Sequence, residues 1–69
     1  MTRDEMILRL MLLKPIVSIP KAYSPAEQVE IYMVYNALTG ERREPNGCQA
    51  CLNTVLSRLK KEIRTIERV

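Results

Sequence analysis

The sequence predicts an all-α fold, a single three-helix domain with a long, basic C-terminal helix. Three observations lead there. Ser24-Pro25-Ala26-Glu27 is a helix start: a capping serine, proline at the first helical position, and a glutamate placed to close a capping box. Leu52, Leu56, Leu59, Ile63 and Ile66 recur at steps of 4, 3, 4 and 3, an apolar seam two heptads long. The apolar residues, 46% of the chain, include no Phe and no Trp, so the core must come from Leu, Ile, Val and Met with three tyrosines. Leu and Met favour helix and pack adaptably.

The first helix is expected over about residues 3–14. Thr2 and Glu5 fit a capping box, and Pro15 should stop the helix by pushing the residue before it out of the helical region. Met6, Ile7, Leu10, Leu13 and Met11 make a broad apolar face, with Leu8 and Leu12 off that stripe. A helix apolar nearly all round should be covered on more than one side. The connector through Pro15, Ile16, Val17, Ile19 and Pro20 is expected to cross the surface extended and pack down; no second strand is evident to pair with it.

The second helix is expected over about 25–38, ended by Gly40 in the left-handed conformation that glycine adopts cheaply. Val29, Tyr32, Met33 and Asn36 share one face and Ile31, Tyr35 and Leu38 another, which implies two apolar neighbours. A polar loop follows, with Asn46 or Gly47 as the expected cap of a third helix over about 47–67. Val55 widens its seam, and Glu62 lies four residues after Arg58, a spacing that supports helix. At 1.5 Å per residue the third helix is about 30 Å long and the others about 18 and 21 Å. Its distal end should therefore project past them, leaving Leu59, Ile63 and Ile66 as a candidate partner interface, for self-pairing or another protein.

A chain of 69 residues makes one domain. It buries roughly 60% of its unfolded surface, and a core that small contributes about 3–5 kcal/mol. The net charge is +3. Residues 1–40 balance Arg3, Arg9, Lys14 and Lys21 against Asp4, Glu5, Glu27 and Glu30, so the excess lies wholly in residues 41–69. This permits contact with phosphate or an acidic partner. Met6–Leu13 is too short to span a membrane and is interrupted by Arg9, so a cytoplasmic protein without membrane contact is expected.

Cys48 and Cys51 begin the third helix, where backbone donors and the helix dipole favour thiolate. A redox pair usually sits in a βαβ scaffold, which is not evident here. A structural zinc needs four ligands, and a chain with two cysteines and no histidine could close such a site only as a dimer sharing Cys48 and Cys51 across its axis. The favoured reading is packing, with both thiols reduced as in a cytoplasmic protein and acting as small hydrophobes. Without histidine there is no imidazole base and no catalytic triad, so no enzyme is expected and no cofactor is required.

Tyr35-Asn36, Gly40, Pro45, Gly47-Cys48, Cys51-Leu52 and Leu59-Lys60 together form a pattern across the second half of the chain. It resembles a pattern in small uncharacterised proteins of phages, prophages and mobile elements. The resemblance implies a small accessory protein and carries no activity with it. The expected function is a non-enzymatic helical binding module acting through helix–helix contacts. Nucleic-acid binding is the alternative, with Arg42, Arg43, Arg58, Lys60, Lys61 and Arg64 contacting phosphate. The loop before the third helix is longer than the usual turn of a helix-turn-helix. A zinc-bridged dimer is the third reading.

Overall fold

The computed structural model describes residues 2–19 and 22–68, and among these the fold is all-α with no strand. Helix α1 spans Arg3–Val17, α2 spans Pro25–Thr39 and α3, the longest, spans Gln49–Glu67. Each helix contacts the other two. Pro20 of the connector lies outside the described residues.

Local chemistry explains most of the helix ends. Ser24 caps α2 with a complete capping box: its Oγ accepts from the Glu27 amide at 3.2 Å, and its own amide donates to the Glu27 carboxylate at 2.9 Å. At α1 only half of the expected box forms. Thr2 accepts from the Glu5 amide, but the Glu5 carboxylate accepts from Arg9 instead. Gly40 ends α2 at φ 77°, a conformation that a side chain would strain. The N-cap of α3 is Cys48 rather than Asn46 or Gly47; Asn46 Oδ1 accepts from the Cys48 amide at 3.1 Å and so supports the start from one step back.

Pro15 does not stop α1. The helix passes through it to Val17, and the last turn closes with the Ser18 amide and hydroxyl both donating to the Lys14 carbonyl. A proline in a helix interior costs about 3 kcal/mol. Here Met11, whose carbonyl loses its donor, and Pro15 are both exposed residues. Continuing the helix buries Val17 and half-buries Ile16, and fully burying a side chain of this size returns about 1.5–3 kcal/mol. The segment expected to run extended is thus partly helix, and Ile19, expected to pack down, is 59% exposed.

The core unites Leu10, Leu13 and Val17 of α1, Ile31, Tyr32, Val34 and Tyr35 of α2, and Leu52, Val55, Leu56, Leu59 and Ile63 of α3. The third-helix seam therefore faces its own domain. The longer α1 brings Val17 beside Ile63, and Lys14 forms an ion pair with Glu67, so the distal end of α3 is covered rather than projecting. Two apolar faces expected to be covered are open instead. Leu8, Met11 and Leu12 of α1, and Val29 and Met33 of α2, remain exposed.

Leu59 is wholly buried, and replacing it with alanine should cost about 2–5 kcal/mol, comparable with the whole stability of so small a core. Leu12→Ala, at an exposed site, should change stability by less than about 0.5 kcal/mol. Urea unfolding of both variants checks the contrast. Pro15→Ala should raise stability by about 1–2 kcal/mol by restoring the missing helix donor; no change in the urea midpoint would mean that α1 does not continue through residue 15.

Candidate functional site

The ordered chemistry of this protein gathers where α2 hands over to α3. Asn36, in the last turn of α2, grips the loop by two hydrogen bonds to one residue: its Nδ2 donates to the Arg43 carbonyl at 2.8 Å and its Oδ1 accepts from the Arg43 amide at 3.0 Å. The Tyr35 hydroxyl donates to the Glu41 carboxylate, which also accepts from Arg43 Nε at 3.1 Å. The Arg43 guanidinium lies 5.7 Å from the centre of the Tyr35 ring, within cation–π range. The Thr39 hydroxyl donates to the Tyr35 carbonyl and accepts from the Glu41 amide. A segment that reads as a polar loop is thereby fixed to α2 on both backbone and side chains.

These contacts shift two ionisations. The hydrogen bond from Tyr35, followed by those from Arg43, holds the Glu41 carboxyl below the usual carboxylate range, against the opposing effect of desolvation. The same hydrogen bond, with desolvation next, raises the Tyr35 phenol above its ordinary value.

The clamped loop delivers Cys48 and Cys51 to the start of α3. The sequence reading expects them reduced and packed, and the structure differs: they are joined as a disulfide, with Cα atoms 5.2 Å apart. A Cys-x-x-Cys spacing at a helix start already places two sulfurs on neighbouring turns, so bonding needs no rearrangement of distant elements. Both residues are half-buried. Cys48 Sγ also accepts from the Cys51 amide at 3.2 Å, doing for α3 what serine does for α2. Cys51 lines a shallow surface pocket with Tyr32, Arg43, Glu44 and Asn46. As a cross-link the bond closes a loop of only four residues, for which chain-entropy stabilisation is about 2 kcal/mol, the low end of the range. While bonded the sulfurs offer no thiolate to a metal, and among the described residues no group of three or more His, Cys, Asp or Glu converges.

The other sequence-predicted residues have different surroundings. Leu59 and Ile63 are buried and Ile66 is half-buried against the core, so the expected partner seam is occupied within the chain. Arg43 belongs to the loop clamp and Arg58 pairs with Glu62 at 3.5 Å. Arg42, Lys60, Lys61 and Arg64 are exposed, but Lys60 and Arg64 flank a groove that also contains Glu67. Arg43 and Arg58 both act on the Tyr35 ring environment. Asn36 and Glu41 escaped the sequence reading as structural residues; the signal available was their nearness to Gly40, since polar side chains flanking a helix-ending glycine often satisfy the turn that follows. No helix is long and apolar enough to cross a membrane among the described residues. Comparison with known protein families, curated proteins and solved structures finds no match.

Glu41 sets a pH dependence with a definite sign. Its folded pKa lies below its unfolded value, so its contribution is complete above the ordinary carboxylate range of about 4.3 and is lost as pH falls through the depressed folded value. Tyr35→Phe removes the first cause of the depression. Carboxyl-carbon NMR titration should then show the Glu41 midpoint moving up toward the ordinary value; an unmoved midpoint would exclude the Tyr35 bond as its cause.

Proposed function

We propose that this protein is a non-enzymatic helical binding module whose working surface is the outer face of α1. The exposed apolar ridge on that helix carries the reading. Leu8 and Leu12 are 60% and 64% exposed, and with Met11 and Pro15 they occupy the i, i+3, i+4, i+7 positions of one helix face. Single exposed leucines are ordinary, but a ridge at this spacing is the pattern by which a helix enters an apolar groove. It lies opposite Leu10, Leu13 and Val17, so the helix can dock on a partner without disturbing the core. The partner is a helical protein surface, a second copy of this chain included. The resemblance of the second half of the chain to small phage and mobile-element proteins supports placing it as an accessory of such an assembly. The seam at Leu59, Ile63 and Ile66 is not the proposed contact, because folding already uses it.

The test replaces both exposed leucines, Leu8→Glu with Leu12→Glu, and keeps the fold under watch by circular dichroism. Wild type should self-associate in sedimentation at high micromolar concentration, or crosslink to a cellular polypeptide through benzoylphenylalanine placed at Leu12. The double variant should retain its helical signal and lose the association. Wild type that sediments as an 8.0 kDa monomer and captures no polypeptide sinks the reading. A duplex-DNA shift that weakens steeply with salt and disappears on Lys60→Glu with Lys61→Glu would instead favour the nucleic-acid alternative.

A further inference from the structure

We infer that Cys48–Cys51 is a redox-active disulfide that exchanges with external dithiols, with Cys51 the attacked sulfur and Cys48 the stabilised leaving thiolate. Four observations combine. The bond joins the cap of α3 to the first turn of the same helix, so it ties no two elements together, and neither cysteine belongs to the buried core. Cys48 Sγ already accepts the Cys51 amide at the positive end of the α3 dipole, a setting that stabilises negative charge on sulfur. Cys51 opens onto the pocket it shares with Tyr32, Arg43, Glu44 and Asn46, which gives an incoming sulfur a route. Arg43 is held there by Asn36 and Glu41, so the cationic side chain beside the route is positioned rather than free.

One thiolate of the dithiol attacks Cys51 Sγ, a new S–S bond forms, the Cys48–Cys51 bond breaks, and its electron pair passes to Cys48. The second thiolate of the dithiol then attacks the first sulfur of the same molecule. The bond to Cys51 breaks, and Cys51 takes that electron pair. The dithiol leaves as a disulfide, oxidised by two electrons, and Cys48 and Cys51 are reduced, taking up protons to the extent that their pKa values require. A sulfur whose thiolate is stabilised leaves faster, which is why the cap position favours Cys48 for that role.

The test uses the full chain and dithiothreitol as the dithiol. Folded protein is equilibrated in reduced and oxidised dithiothreitol at pH 7, quenched with acid and alkylated, and the mass is read. Reversible gain and loss of two alkyl groups, with the helical circular dichroism retained in the reduced form, is the expected result. Reduction only after denaturation, or collapse of the helical signal on reduction, would make the bond a structural staple and overturn the inference. The leaving role is read in Cys51→Ala, which keeps Cys48 alone. Its alkylation rate should rise with pH through a midpoint below the ordinary thiol value of about 8.5. A midpoint at or above 8.5 overturns the assignment of Cys48, and the exchange of the wild-type protein stands as an independent measure should that variant fail to fold.

Discussion

With 69 residues and neither Phe nor Trp, this chain can supply only one shared core, and the apolar seam of α3 is the surface on which that core forms. Leu52, Val55, Leu56, Leu59 and Ile63 are all buried there against side chains from both other helices. Such a small domain buries a modest share of its surface, so it has little apolar area to leave unused. That pressure accounts for the behaviour of α1. Its continuation through Pro15 brings Val17 into the core beside Ile63, and the gain from burial offsets the proline's missing donor.

The second organising feature is polar. Tyr35, Asn36, Thr39, Glu41 and Arg43 close the handover from α2 to α3 with hydrogen bonds on both sides of Gly40. Asn46 then supports the amide of Cys48, and Cys48 caps α3. The residues of the tyrosine–asparagine, glycine, proline and two-cysteine pattern, spread over 17 positions from Tyr35 to Cys51, therefore meet around one loop. The physical consequence is that the cysteine pair rests on a fixed frame although the segment before it has no regular structure.

Much of this was legible in local sequence, and what was not has identifiable causes. Ser24, Pro25 and Glu27 fixed the start of α2, and Gly40 its end, because a cap and a left-handed turn depend on residues within one helical turn of each other. Periodicity marked the α3 stripe correctly. It did not say what covered the stripe, and estimating coverage from helix lengths failed once α1 ran two residues beyond Pro15. Leu8, Leu12, Val29 and Met33 look like core in sequence because an apolar side chain carries no mark of whether a neighbour arrives. Of the candidate site, the Cys-x-x-Cys spacing was plain, while its pairing and the clamp by Asn36 on Arg43 were not. Residues seven apart across an irregular loop obey no periodic rule.

The sequence by itself determined three helices, the caps of α2, the apolar stripe of α3 and the concentration of positive charge after residue 40. Each is set by interactions within a few residues, or by composition alone. Tertiary structure decided that Pro15 lies inside α1, that Leu59 and Ile63 belong to the core, and that the outer face of α1 stays open. It also decided that Cys48 and Cys51 meet beside a clamped Arg43. These depend on which surfaces three short helices can bring together at once. That competition for a single small core is settled only when all three are packed.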